Sequence, residues 1–197
     1  MAAVILAAGG GRRFGGAKLL APLRGRPLVA YVLDVVGRAR GAGLLAEARI
    51  VVAPGDDAVA ALARDAGVAP VVNEAPDRGL ASSLRCGLAA LPTGAAIVLL
   101  GDQPLVRLDV LAVLVAAWHE RLGVLIRPRY AAAPDEPGHP VLLDRSVWPL
   151  ADRLEGDRGV GALLDPGADG VALIDVAGRN PDVDTPADLH TLEGSSS

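Results

Sequence analysis

The chain has 197 residues, a formal net charge of −4, 51% hydrophobic residues and only 3% aromatic residues. This length suits one domain, and a core made mainly of Ala, Val, Leu and Gly favours helices packed closely on a sheet. The sequence lacks the clustered Lys and Arg that a nucleic-acid groove needs to displace counterions, whereas a nucleotide needs only a few local cations.

The first half of the chain alternates short apolar runs with longer amphipathic ones. The apolar runs predict strands over residues 2–8, 48–53, 68–72 and 95–100. The amphipathic runs predict helices over residues 27–42, 57–66, 80–91 and 108–122. A proline stands at the first turn of the first helix, where its missing N–H costs no hydrogen bond, and Asp56 or Asp57 can cap the second helix.

The second half is less regular and predicts strands over residues 124–131, 140–143 and 171–176 and a short helix over residues 186–192. Strand–helix–strand repeats with continuously apolar strands predict a parallel sheet covered by helices on both faces. We expect one domain over residues 1–193, with residues 194–197 as a flexible, linker-like tail. Ligands bind beyond the carboxyl ends of such strands, and this rule places residues 9–18 and Asp102 on one rim.

Five glycines follow the first strand, and two arginines and Lys18 are interleaved with them. Glycine lets backbone N–H groups wrap around an anion, and the cations can neutralise phosphate charge. A dinucleotide-binding G-x-G-x-x-G motif beginning at Gly9 fails at Phe14, and a P-loop beginning at Gly11 lacks the adjacent Lys and Ser or Thr. The pattern predicts a phosphate-binding loop of another kind, with a mobile loop of solvated charges as the alternative.

Three aspartates are candidates for a metal site. Asp102 stands just past the strand over residues 95–100, where a carboxylate can hold a divalent cation over a triphosphate. Asp182 and Asp184 alternate in an extended segment, so both side chains are expected on one side. Each aspartate can instead cap a helix or a turn, but the position of Asp102 opposite the glycine loop favours a role in metal binding. The sequence does not separate Asp182 from Asp184.

Two further segments carry candidate binding residues. Gly79, Ser82 and Ser83 open a predicted helix, whose free backbone N–H groups can hold a base or a phosphate, or can simply be capped. His139 lies in Gly-His-Pro and can contact an acceptor or fix a turn. Nothing in the sequence has the arrangement of a Ser-His-Asp or Cys-His catalytic set or the spacing of a zinc site.

The compartment is predicted from what the sequence lacks. Cys86 is the single cysteine, so no internal disulfide can form, which favours a reducing compartment. The apolar run over residues 2–8 is too short for a secretory signal, and no stretch reaches the ~18 apolar residues of a membrane helix. We therefore expect a cytoplasmic protein without a membrane segment.

Residues 6–18 match the pattern L-A-[AG]-G-x-S-x-R-[MF]-G-x-x-K, with Arg13 as the signature arginine and Gly11 where serine is usual. Further matches follow in the same order at residues 79–83, 101–104, 138–140, 156–159 and 182–189, so that they cover almost the whole chain. Taken together, these motifs resemble the molybdenum-cofactor nucleotidyltransferase family, and most of all its molybdopterin cytidylyltransferase branch.

The resemblance implies an α/β fold: a single Rossmann-like three-layer domain with a mostly parallel sheet, of the nucleotide-diphospho-sugar transferase type. It implies a transferase that moves CMP from CTP to the terminal phosphate of molybdopterin, with Mg²⁺ as cofactor and a recipient molybdoenzyme as partner. Ala8 and the Gly-Asp-Gln-Pro sequence at residues 101–104 suit the CTP-using branch of the family.

The resemblance also implies individual roles. Lys18, Arg13 and Asp102 would be catalytic, and Asp102 would hold Mg²⁺ together with Asp184 or Asp182. The nucleotide would contact Leu6, Ala7, Ala8, Gly9, Gly10, Gly11, Arg13, Lys18, Gly79, Ser82, Ser83 and Gly101. The acceptor would contact Gln103, His139 and Arg158, the last because Gly161 stands where the family commonly has an arginine.

Three alternatives remain at this point. A GTP- or sugar-phosphate-dependent nucleotidyltransferase shares the opening motif. A dehydrogenase-type binding fold is disfavoured by the broken G-x-G-x-x-G motif. A non-catalytic carrier or chaperone that delivers the cofactor to a molybdoenzyme would not need to keep both Lys18 and Asp102.

Overall fold

The regular elements follow the predicted order in the part of the chain that the computed structural model describes, residues 1–9, 11, 14–136, 138–157 and 169–194. The strands are β1 (Ala2–Leu6), β2 (Pro22–Leu23), β3 (Arg26–Pro27), β4 (Glu47–Val52), β5 (Ala69–Val72), β6 (Ala95–Leu100), β7 (Leu125–Tyr130), β8 (Val141–Asp144) and β9 (Val171–Val176). The helices are α1 (Leu28–Gly41), α2 (Asp57–Asp65), α3 (Leu80–Ala89), α4 (Leu108–His119) and α5 (Pro186–Gly194).

Seven strands form one sheet in the order β5-β4-β1-β6-β8-β7-β9. The strands β5, β4, β1 and β6 are parallel neighbours, β8 is antiparallel to both β6 and β7, and β7 is parallel to β9. The chain extends the sheet from β1 to β4 and β5 and then returns to β6 on the other side of β1. This change of direction at β1 creates the crevice in which doubly wound sheets bind ligands.

Helices cover both faces of the sheet, which confirms the three-layer α/β prediction. Side chains alternate along β1, so Ala3 and Ile5 join the cluster under α1, α2 and α4, whereas Val4 and Leu6 join the cluster under α3. A 3-10 helix over Arg145–Arg153 completes the second layer. Because β1 is buried on both faces, it is apolar at every position.

Some details differ from the sequence prediction. The short hairpin of β2 and β3 and a 3-10 turn over Lys18–Leu20 were not predicted. Helix α5 runs to Gly194, so the first residue of the predicted tail belongs to this helix, and the rest of the tail lies outside the described residues. Within the described ranges, no helix is both long and apolar enough to cross a bilayer.

Candidate functional site

The carboxyl ends of β1 and β6 lie side by side, because Leu6 and Leu100 are register partners in the parallel sheet. The N–H of Gly101 donates to the carbonyl oxygen of Leu6 over 2.9 Å. A Cβ at Gly101 would lie only 3.3 Å from that oxygen, so glycine permits the close approach of the two chain segments. Asp102 therefore emerges beside the glycine-rich loop, on the rim predicted for it.

The segment before α5 brings two more carboxylates to this rim. The N–H of Val183 donates to the carbonyl oxygen of Asp102 over 3.0 Å, and the side chain of Val183 is fully buried. Asp182 and Asp184 flank this anchored residue, and both line the same cavity as Asp102. Residues that are 80 or more positions apart in the sequence thus meet at one point.

Lys18 lies between two of these carboxylates. Its Nζ is 2.5 Å from Oδ2 of Asp102 and 3.3 Å from Oδ1 of Asp184. Burial opposes the charged form of Lys18, but the two facing carboxylates outweigh it, so the pKa of Lys18 is raised above its usual value. Lys18 is therefore a cation at neutral pH, and it occupies the position between two anionic oxygens where a metal ion would be expected.

Asp182 is held in a different way. Nε2 of Gln103 donates to its Oδ1 over 2.7 Å. Burial raises the pKa of Asp182, the negative charge of Asp102 acts in the same direction, and the Gln103 hydrogen bond opposes both. Among the residues that the structure describes, no group of three or more His, Cys, Asp or Glu side chains is arranged to hold a metal ion. Of the three aspartates, Asp102 and Asp184 are the pair that shares the Lys18 cation.

A cavity of ≈ 540 Å³ lies over these strand ends, which is within the range of small-molecule and cofactor sites. Its wall combines the backbone after β1, the start of α3 and the charged cluster. The predicted site residues that line it are Leu6, Ala7, Ala8, Gly9, Gly11, Lys18, Gly79, Ser83, Asp102, Asp182 and Asp184. Three other predicted site residues, Gly10, Arg13 and Arg158, lie outside the described residues.

Among the described glycines of the loop, Gly11 is the most closely approached, and the family pattern usually has serine at this position. Gly11 has a φ of +51°, and a Cβ there would lie 2.9 Å from the carbonyl oxygen of Gly16. A side chain at this position would therefore displace the Gly16 backbone, so this chain folds the loop more tightly than a serine would allow.

The N-terminus of α3 does not present free N–H groups to a ligand, which corrects the sequence expectation. The N–H of Leu80 donates to Oδ1 of Asp157 over 3.3 Å, and that of Ala81 donates to the carbonyl of Gly156 over 3.0 Å. The loop over residues 156–157 is therefore the cap of this helix. Gly79 allows it to approach, because a Cβ at Gly79 would lie 2.5 Å from the backbone of Gly156.

The two serines of α3 differ in their surroundings. Ser83 lines the cavity. Ser82 does not, and its Oγ donates to the carbonyls of Ala75 and Gly79 over 2.9 and 3.0 Å. The backbone thus uses the Ser82 hydroxyl, and we no longer expect Ser82 to contact a nucleotide.

Two predicted acceptor contacts, Gln103 and His139, lie behind the cavity wall instead of in it. Gln103 is only 6% exposed, and its amide is used by Asp182 and Asn180. His139 is only partly exposed, and burial of its ring lowers its pKa to about 4, against a backbone hydrogen bond to Val98 and the charge of Asp102. We therefore expect both residues to support the carboxylates and not to touch an acceptor.

Sequence reasoning missed two buried asparagines in this region. Asn180 donates to Oε1 of Gln103 over 3.0 Å and fixes the orientation of the amide that holds Asp182. Asn73 donates to the oxygens of both Ser82 and Ser83. Asn73 directly follows the strand run over residues 68–72, so its place at a strand end was a usable signal. Asn180 lies in an irregular loop and offered none.

A mostly parallel sheet with a crevice at its switch point, a glycine loop and a Lys–Asp cluster define a protein of the nucleotide-diphospho-sugar transferase fold. The family model of the MobA-like NTP transferase domain matches residues 3–171. The chain belongs to this family.

Similar solved structures support the same fold. The crystal structure of Rv0371c from Mycobacterium tuberculosis H37Rv is 34% identical, with a TM-score of 0.81, and covers 98% of this chain and 97% of that one. A complex of Rv0371C with manganese is 32% identical, with a TM-score of 0.80, and covers 99% of this chain and 98% of that one.

Two curated relatives carry different names. Nicotine blue oxidoreductase of Paenarthrobacter nicotinovorans is 33% identical over 96% of this chain and 94% of its own length. The 3-deoxy-manno-octulosonate cytidylyltransferase of Anaeromyxobacter dehalogenans is 34% identical over 65% of this chain and 52% of its own length. The match thus spans about half of the cytidylyltransferase.

Proposed function

We propose that this chain is a nucleotidyltransferase that transfers CMP from CTP to the terminal phosphate of molybdopterin and releases pyrophosphate. The observation that carries the proposal is the Lys18–Asp102–Asp184 cluster at the carboxyl ends of β1 and β6, beside the glycine loop. A site built this way can bind polyphosphate and neutralise its charge, because it combines backbone N–H groups, a cation and carboxylates.

A divalent cation fits the donor set of this cluster. Asp102 and Asp184 already share one positive charge, that of Lys18, and carboxylate oxygens suit hard ions such as Mg²⁺ or Mn²⁺. The manganese complex of Rv0371C supports a divalent cation in this family. Bound between the two carboxylates, such an ion would supply Lewis-acid neutralisation of phosphate oxygens.

The protein side chains would act by position and charge. A phosphomonoester is already largely anionic near neutral pH, so attack on the α-phosphorus of CTP needs no strong general base. Lys18 would leave the carboxylates and pair with phosphate oxygens, together with Arg13, while Asp102 stays at the reacting centre. The neutral His139 is not required to move a proton, which agrees with catalysis by positioning and electrostatics.

The choice of CTP is supported by two observations. Ala8 and the Gly-Asp-Gln-Pro segment resemble the CTP-using branch, and one matching relative is a cytidylyltransferase. Molybdopterin as the acceptor is supported by the resemblance of motifs over almost the whole chain. A GTP- or sugar-phosphate-dependent transferase and a cofactor carrier are the alternatives that the experiment separates.

The test is pyrophosphate release by the purified protein with Mg²⁺ and each of CTP, GTP, ATP and UTP, with and without molybdopterin. We expect release with CTP only when the pterin is present. Release with GTP would keep the reaction and overturn the choice of base. No release with any nucleotide, together with tight pterin binding, would favour a carrier.

The match to nicotine blue oxidoreductase favours a second candidate, a redox activity, because it covers nearly the full length of both proteins. The failed dinucleotide motif at Phe14 counts against it. Oxidation of NADH or NADPH with a quinonoid dye as acceptor, measured beside pyrophosphate release, separates the two. Dye reduction without pyrophosphate release would replace the transferase proposal.

A further inference from the structure

Asn73 follows β5 and is only 5% exposed. Its side-chain Oδ1 accepts a hydrogen bond from the N–H of Ala75 over 3.0 Å. A backbone N–H can only donate, so the orientation of the Asn73 amide is fixed, with its NH₂ group facing α3.

That NH₂ group donates to the two neighbouring serines, to Oγ of Ser82 over 2.8 Å and to Oγ of Ser83 over 3.0 Å. Both serine oxygens are therefore acceptors toward Asn73, and each hydroxyl proton must point elsewhere. The Ser82 proton goes to the backbone of Ala75 and Gly79.

Ser83 is in a different situation from Ser82. It lines the cavity, and within the described part of the chain its hydroxyl proton has no acceptor. An O–H group whose oxygen is already an acceptor from Asn73 is left to donate into the cavity. Asn73 thus sets the direction of a hydrogen bond that the cavity offers to a ligand.

The position of Ser83 indicates which part of a nucleotide it meets. The turn that carries Lys18 packs on the α1 side of the sheet, whereas Ser83 belongs to α3 on the opposite side. Lys18 is the only cationic side chain among the described residues of the cavity wall, so phosphates belong at its end. Around Ser83 the wall includes Pro76 and Leu80, which suit a flat base.

We propose that Asn73 is a positioning residue for the nucleobase: it commits the Ser83 hydroxyl to donating, so Ser83 recognises an acceptor atom on the base. The inference rests on the proposed nucleotide-binding function and adds to it the direction of one base contact and the residue that sets that direction. Cytosine offers two adjacent acceptors, N3 and O2, on its pairing edge.

The test is a double-mutant cycle on CTP binding in the presence of Mg²⁺, measured by calorimetry. Ser83→Ala is expected to weaken CTP binding about 5-fold, the effect of one lost hydrogen bond. In Asn73→Asp, the new carboxylate would accept the Ser83 proton, so that Oγ of Ser83 turns a lone pair toward the base. This variant should weaken CTP binding more than Ser83→Ala does. Adding Ser83→Ala to Asn73→Asp should then restore affinity to the level of Ser83→Ala alone, because the repelling oxygen is gone.

Ser82→Ala is the matched control, because Ser82 contacts the same asparagine but donates its proton to the backbone. The CTP affinity of this variant should stay within about twofold of wild type. If Asn73→Asp does not fold, as its melting curve would reveal, Asn73→Ala replaces it. Its loss of affinity should disappear in the Ser83→Ala background.

Additive losses, or wild-type affinity in Ser83→Ala, would overturn the inference while leaving nucleotide binding intact. Wild-type protein that binds no nucleotide triphosphate would overturn the proposed function itself. The two failures are therefore distinguishable in one set of titrations.

Discussion

Individual charges organise the candidate site, and Lys18 is the clearest case. A cation between Asp102 and Asp184 relieves the repulsion that two close carboxylates would suffer in a partly buried place. The same carboxylates cannot hold both this ammonium and a divalent ion between them. Lys18 and the metal ion should therefore compete until a triphosphate offers Lys18 another anionic partner.

Lys18→Met tests this competition. We expect Mn²⁺ to bind the nucleotide-free variant about 10-fold more tightly than it binds wild type, because removing a competing unit charge is worth more than ~1 kcal/mol near a protein surface. CTP-dependent turnover should be lost in the same variant. Lys18→Arg keeps the charge and is the control. Weaker Mn²⁺ binding in Lys18→Met would contradict the competition.

Asp102 has the most central position of the three carboxylates. Asp102→Asn should lower turnover at saturating CTP at least ~100-fold, since it removes the proposed metal ligand, whose charge would act mainly in the transition state. Asp109→Asn changes an exposed aspartate on α4 and serves as the control for charge alone. Pyrophosphate release measures both, and near-normal turnover of Asp102→Asn would exclude the metal-ligand role.

The lowered pKa of His139 predicts that the stability of the protein depends on pH. Its pKa falls from the ordinary histidine value of 6.5 to about 4 in the folded protein, because burial disfavours the imidazolium; Asp102 and Arg127 are the charged groups that act on it. The unfolded chain therefore binds the extra proton first, so stability is complete above pH 6.5 and falls as pH drops toward 4. The loss should approach about 3 kcal/mol.

Urea unfolding of His139→Gln at several pH values checks this expectation. The variant should lose less stability than wild type across that pH range, and His190→Gln, an exposed position on α5, should behave as wild type. Equal pH dependence of His139→Gln and wild type would mean that other groups cause the acid loss.

At the scale of elements, the approach of α3 to the sheet is set by one glycine. A Cβ at Gly87 would overlap Cγ1 of Val4 and lie 3.0 Å from Cγ2 of Val51. Helix α3 carries Ser83 and begins at the cavity, next to Gly79, so its distance from β1 also affects the width of the candidate site.

Gly87→Ala should lower the free energy of unfolding by about 1–3 kcal/mol, because the added methyl group overpacks the contact with β1. Gly37→Ala in α1 is the matched control: apart from its chain neighbours and the backbone of its own helix, no heavy atom lies within 4 Å of its Cβ position. It should stabilise the protein by roughly 0.5–1 kcal/mol through helix propensity. Urea denaturation of both variants measures the contrast, and stabilisation of Gly87→Ala would contradict the packing argument.

At the scale of the whole molecule, the candidate site joins segments that the sequence keeps far apart. The segment over residues 182–184 is tied to Asp102, and α5 packs beside the hairpin of β2 and β3 through Leu23, Val183 and Leu192. A ligand that bridges the glycine loop, α3 and this segment should therefore stabilise the global fold.

CTP with Mn²⁺ at about 100 times its dissociation constant should raise the unfolding free energy by about 2.7 kcal/mol. For a chain of this length, that corresponds to an increase in Tm of roughly 5–10 °C in a thermal melt. Mn²⁺ alone should give a smaller increase, because Lys18 competes with it. An unchanged Tm with every nucleotide triphosphate would count against nucleotide binding.

The sequence by itself determined the parallel α/β layers, because continuously apolar strands such as β1 and amphipathic helices such as α1 are local patterns with one stable way to be buried. It also indicated Lys18, Asp102 and the 182–184 pair as site residues, since glycine loops and strand ends concentrate chemistry at one edge of the sheet. Their roles as nucleotide and metal ligands remain predictions.

Only the tertiary structure decided which of these groups pair with one another. It paired Lys18 with Asp102 and Asp184 but tied Asp182 to Gln103, and it bonded the Ser82 hydroxyl to the backbone but placed Ser83 on the cavity wall. These choices depend on the orientation of buried amides. Asn180 donates to Gln103, which is 77 positions away in the sequence, and Asn73, oriented by the nearby N–H of Ala75, donates to the two serines of α3. Local patterns carry no information about such partners, because hydrogen-bond direction is settled only when the buried groups meet.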